Sequence, residues 1–178
     1  MPRSATRKTG SSARPRRPLT RAMLLPLSGE TVRKKSLAIH LALAACRREG
    51  SGTGYQFNEL LRVLYITLFL QERGFGELPV ELYARAEINL NACVSRGKRD
   101  SAWLIDAETA GILEQVLRLH DEQLRVITYR DLSAATERLE CFIRSARVSP
   151  LAEDIRSAAR AAATAMMTGS ASTTTRGR

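Results

Sequence analysis

The sequence predicts an all-α protein, a single bundle of about five to six helices, on three observations. Apolar residues recur at helical spacing through most of residues 29–167. No stretch is rich enough in Val, Ile and Thr to build a sheet. Short Gly-, Pro- and Ser-bearing breaks separate the periodic segments, and no internal repeat is present. Such elements must bury their apolar stripes on one another.

Residues 1–21 are rich in Arg, Ser, Thr, Gly and Pro, with Leu19 the one large aliphatic side chain after Met1. They cannot bury enough apolar surface to offset ordering entropy, and a disordered arm is expected. Met23, Leu24, Leu25 and Leu27 surround Pro26, which suits an extended strap over the domain. Ser28 is a plausible N-cap for a first helix, with Glu30 in the first turn and Arg47 and Arg48 at the end, as the helix dipole favours. Its apolar stripe reads as Val32, Leu37, Leu41, Ala44 and Ala45.

After a turn at residues 50–54, a second helix carries Leu60, Leu61, Val63, Leu64, Ile66, Leu68, Phe69 and Leu70. It is apolar on nearly every side, which marks the central helix, and Gly74 supplies its stop. Pro79 opens a third helix with Leu82, Tyr83, Ala86, Leu90 and Cys93, expected to stop at Gly97. Trp103, Leu104 and Ile105 then form an apolar hinge onto the core. A fourth helix, about 106–127, aligns Leu113, Val116, Leu117, His120, Leu124 and Ile127. A fifth, about 130–147, shows Leu132, Leu139, Phe142 and Ile143. Ser149 and Pro150 signal the start of a sixth, alanine-rich helix to about Met167. That helix has little to bury and fits either its own bundle or a partner. The expected division is therefore an arm at 1–21, a helical domain at 22–167 and a disordered polar tail at 168–178.

The net charge of +10 is unevenly placed. Arg3, Arg7, Lys8, Arg14, Arg16, Arg17 and Arg21 precede the first acid, Glu30, and Arg176 and Arg178 lie at the other end. Without these, nineteen cations face eighteen acids, so the helical domain is close to neutral.

Cys46, Cys93 and Cys141 are few, distant and odd in number, which suits buried thiols in a reducing compartment better than a disulfide framework or a zinc site. The longest apolar run, residues 60–70, is far shorter than the ~20 residues that span a bilayer, so no membrane partner is expected. The Arg- and Ser-rich start resembles a transit peptide in composition, but Pro15 and Pro18 break the amphipathic helix that such a signal needs. A cytoplasmic location is expected, nucleoid-associated if the protein binds DNA.

Convergent catalytic groups are scarce, and an enzyme is not expected. His40 and His120 are the only histidines. His120, Asp121 and Glu122 are adjacent in sequence, but consecutive helical residues point about 100° apart and do not converge. The turn at residues 50–54 lacks the lysine and the preceding strand of a phosphate loop. No cofactor or metal is implied.

Nucleic-acid contact is the better-supported chemistry. The seven cations of the arm can displace counterions from phosphates, and Arg33, Lys34 and Lys35 extend the same footprint into the first helix. Such contacts position a protein without reading bases. The fourth and fifth helices, broken at Thr128 and Tyr129, could be a helix-turn-helix whose reader exposes Arg130, Ser133, Thr136, Glu137, Arg138 and Glu140. That face is mixed in sign, and an ordinary helical hairpin is the better reading.

The segment RRPLTRAMLLPLSGETVRKKSLAIHLALAACRR, residues 16–48, with LLRVLYITLFL at 60–70 and LHDEQL at 119–124, resembles a group of small proteobacterial proteins labelled Fis family transcriptional regulators. The resemblance implies a small bacterial helical protein of regulatory or accessory type. Its last helix, SPLAEDIRSAARAAATAMM, departs from the basic recognition helix of Fis itself, so no base-reading residue is carried over. The expected function is a non-enzymatic DNA-associated accessory or regulatory protein, with self-association through the helical domain. The alternative is a protein-interaction module with a passive basic tail.

Overall fold

The computed structural model describes residues 20–169 and is all-helical there. Arg3, Arg7, Lys8, Arg14, Arg16 and Arg17 of the expected arm, and the tail from residue 170 onward, lie outside the described residues.

Arg21–Leu24 form a 3-10 turn, so Arg21, the last cation of the expected arm, lies in a described element. The strap follows. Leu27 N–H donates to Ile127 O and Tyr129 N–H to Leu25 O, while Pro26 bridges Thr128. Leu27 is buried, but Leu24 and Leu25 remain exposed.

Helix α1, Gly29–Arg47, is capped by Ser28, whose hydroxyl accepts from Thr31 N–H. Helix α2, Gly54–Gln71, is buried on almost every side and packs against α1, as well as against α3 (Val80–Asp100), α4 (Ala107–Val126) and α5 (Tyr129–Ile143). It is the central helix that its apolar circumference predicts. Gly74 takes φ +92° just beyond its end, and its N–H closes on Gln71 O. Helix α6, Glu153–Gly169, packs on α3 alone among the helices.

Three expectations fail for physical reasons. The third helix does not stop at Gly97. It runs to Asp100 and turns at Ser101, which adopts φ 57°. Gly97 lies inside because the Trp103 indole rests on it. A Cβ there would meet Trp103 Cε3 at 2.5 Å and Cδ2 at 2.6 Å. The indole also packs at 5.6 Å from the Phe57 ring. Overpacking of this kind typically costs about 1–3 kcal/mol. Gly97→Ala is therefore expected to destabilise by that amount. Fluorescence of Trp103, the one tryptophan, should shift as the ring leaves its seat. An unchanged spectrum and melting point would refute this packing account.

The fourth and fifth helices form neither a hairpin nor a helix-turn-helix. The α4 and α5 axes do not pack on each other, and both lie against α2. A capping box makes the corner: the Thr128 hydroxyl accepts from Asp131 N–H, and the Asp131 carboxylate accepts from Thr128 N–H. Of the proposed reading face, Arg138 is occupied, stacked 4.1 Å over the Phe69 ring and paired with Glu72.

Ser149 does not cap the sixth helix either. It is buried, and its hydroxyl donates to Glu87 Oε2 at 2.8 Å. Glu87 is fully buried and also accepts from Tyr65 O–H at 2.9 Å. Arg156 of α6 completes the group, its Nε 3.5 Å from Glu87 Oε2 and its Nη1 2.7 Å from Glu153 Oε2. The alanine-rich helix thus docks on its own chain through an ion pair, with Ala159 and Leu151 buried beside it.

Candidate interaction surface

The first helix was expected to bury Leu37 and Leu41, and it does the opposite. Its core side is Ile39, Ala42, Leu43 and Cys46, a set spaced three or four apart. Leu37 is 61% exposed and Leu41 59%, on the side of α1 opposite its buried residues. Both sets are apolar at helical spacing, and periodicity alone does not say which of two apolar faces meets the core. Leu43 and Cys46 win because they reach the α2–α4 seam.

The exposed face has a definite composition. Leu37 and Leu41 lie one turn apart, with Ala38, Ala44 and Ala45 beside them. Tyr55, 70% exposed in the first turn of α2, walls a shallow groove of about 340 Å³ with Ala38, Leu41 and Ala45. Exposed leucines scattered singly are ordinary, but two on one helical face with an adjoining tyrosine form a patch. Glu30 precedes the patch and Arg48 follows it, both exposed and neither in an ion pair among the described residues.

Arg33, Lys34 and Lys35 are exposed on the first turns of α1, as the footprint reading requires. None makes an ion pair among the described residues, so their charges are available to a ligand. Arg21 is exposed in the 3-10 turn. Several other cations of the domain are paired: Arg47 with Glu114, Arg73 with Asp131, Arg85 with Glu108 and Arg144 with Glu140.

The two histidines occupy different environments. His40 Nε2 lies 2.9 Å from Asp121 Oδ2 across the α1–α4 seam. His120 is buried against α2, with Nδ1 3.1 Å from Thr67 Oγ1. The Thr67 hydroxyl already donates to Val63 O at 2.8 Å. Having one proton, it must accept from His120, so neutral His120 carries its proton on Nδ1. Burial, with Lys35 nearby, lowers its pKa to about 4 despite Asp121. Glu122 is exposed, so His120, Asp121 and Glu122 diverge as helical geometry requires.

His120 closes one end of a cleft of about 260 Å³ floored by Val63 and Ile66 of α2 and rimmed by Lys35, Arg62 and Leu132. The glycines at 52 and 54 approach Trp103, not an open phosphate-sized space. Burial pushes the Cys46 thiol up to about 11 and raises that of Cys93, which keeps both protonated and weakly nucleophilic. Cys141 is exposed. No group of His, Cys, Asp and Glu among the described residues could hold a metal ion, and no described helix is long and apolar enough to cross a membrane.

No family model matches the chain, and no curated protein or solved structure does either.

Proposed function

We propose that the protein is a non-enzymatic, DNA-associated accessory or regulatory protein in which charge and association are carried by different parts. The observation that carries this reading is the placement of charge. Seven cations fall in the first 21 residues, and the remainder between the tails is close to neutral. Arg33, Lys34 and Lys35 support it, since they continue the basic run on an exposed helical surface without acidic partners. The resemblance to the Fis-labelled group points the same way. Contacts to phosphates from Arg3, Arg7, Lys8, Arg14, Arg16, Arg17 and Arg21 give affinity that is steeply salt-dependent and weakly selective for sequence.

Titrating binding to a DNA duplex against salt tests it. For each phosphate neutralised the log–log slope steepens by about 0.9. A chain beginning at Ala22 should lose most of that slope and most of its affinity at low salt. Equal slopes with and without residues 1–21 would sink the proposal.

A second reading is favoured by the apolar face of α1. Two leucines about 60% exposed beside Tyr55 suit a protein-interaction module whose basic tail is passive. On that reading, removing residues 1–21 leaves association with the partner unchanged.

A further inference from the structure

The outward stripe of α1 has an internal symmetry. Glu30, in the first turn of α1, and Arg48, the C-cap residue just past its end, are eighteen residues apart, which is five turns at 3.6 residues per turn, so the helix carries their Cα positions to about the same azimuth. Leu37 and Leu41 flank that azimuth by about 20° on either side. Both pairs are centred on residue 39. Laid antiparallel on a second α1, Leu37 therefore faces Leu41 and Leu41 faces Leu37. Glu30 at one end meets Arg48 at the other, and the same ion pair repeats at the opposite end. Lys34 and Arg33 fall against Ala44 and Ala45, so no cation meets a cation in this register. The small side chains allow close approach, and the lysine stem can lie along them.

From this we infer that the outer face of α1 is an isologous interface and that its partner is a second copy of the chain, bound antiparallel about a twofold axis near Ile39. A twofold contact must present a patch complementary to itself, and a stripe ordered acid, leucine, leucine, base along one azimuth is such a patch. A parallel arrangement would set Glu30 on Glu30 and Arg48 on Arg48. The opposite charges at the two ends, equidistant from the centre and without partners among the described residues, fit the antiparallel order. The inference rests on the self-association half of the function proposed above and is independent of DNA binding.

Sedimentation equilibrium of the full chain without nucleic acid, from about 1 μM to about 1 mM, tests it. A monomer–dimer equilibrium is expected. Leu41→Lys should abolish it, and because that side chain is largely outside the core, circular dichroism and the melting curve should hold. Glu30→Arg turns two attractive end pairs into two repulsive ones and should weaken the dimer about tenfold. Adding Arg48→Glu to that variant should restore it. Arg48→Glu alone provides the same test should Glu30→Arg disturb the start of the helix. A monomer at every concentration overturns the inference and leaves the face to a different protein. A dimer indifferent to Leu41→Lys overturns it by placing the interface elsewhere. Loss with Leu41→Lys but no rescue by the double swap overturns the antiparallel register.

Discussion

Replacing Glu87 with alanine is expected to cost about 3–5 kcal/mol, the range found when one partner is removed from a buried ion pair. The carboxylate is fully buried and serves three elements at once: Tyr65 of α2, Ser149 in the approach to α6, and Arg156 of α6. Its loss takes the acceptor from the Tyr65 and Ser149 hydroxyls and leaves the buried Arg156 with Glu153 alone. For a domain of this size the melting temperature should fall by on the order of 10 °C. Glu87→Gln, which keeps an acceptor but removes the charge facing Arg156, should lose less. Ser149→Ala, which removes the hydroxyl's bond to Glu87 and the acceptor of Leu151 N–H, should cost about 1–3 kcal/mol. Because α6 touches α3 alone among the helices, proteolysis near residues 144–152 should report the loosened helix before the rest of the domain melts. A melting point for Glu87→Ala within a degree or two of the parent would show that the buried group contributes nothing net.

Stability should also fall as the pH is lowered from about 6.5 to about 4, by about 3 kcal/mol from His120 alone. Burial of the neutral ring depresses its folded pKa, so the unfolded chain binds the extra proton first. The contribution is whole above the unfolded value near 6.5 and is lost as pH descends through that window to the folded value. Asp131 follows at lower pH. Burial opposes its ionisation, but hydrogen bonds from Thr128 and Arg73 outweigh it and hold the carboxyl below its usual range. Its share is therefore lost only below about pH 4. Urea midpoints measured from about pH 7 down to about pH 2 separate the two, and His120→Gln should flatten the upper limb. An unchanged slope in that variant would remove His120 as the cause.

The central helix and its stop were legible because their signals are one-sided: a segment apolar all round has nowhere to lie but the middle, and Gly74 sits where a left-handed residue is needed. The Ser28 cap was legible for the same reason, since a hydroxyl before a charged first turn has one local use. Gly97 was misread because a glycine near the end of a helix looks like a stop until the ring that needs the space, Trp103, is known to fold back on it. Ser149 was misread because its partner, Glu87, lies 62 residues away. Leu37 and Leu41 were assigned to the core because α1 has two apolar faces and nothing local ranks them. The basic residues on α1 could be placed from sequence alone, since three adjacent cations at the start of a helix have no apolar surface to hide behind.

The strap alters how a pull at Arg21 would be felt. From Arg21 onward the chain is held by the 3-10 turn, which packs on α5, and by Leu25 and Leu27, whose two backbone hydrogen bonds grip the corner between α4 and α5. Tension applied at Arg21 reaches that corner before it reaches Ser28 and the start of α1. A tethered load would therefore be borne in shear by the strap and its buried Leu27, leaving the α1 stripe mechanically isolated until that grip gives way.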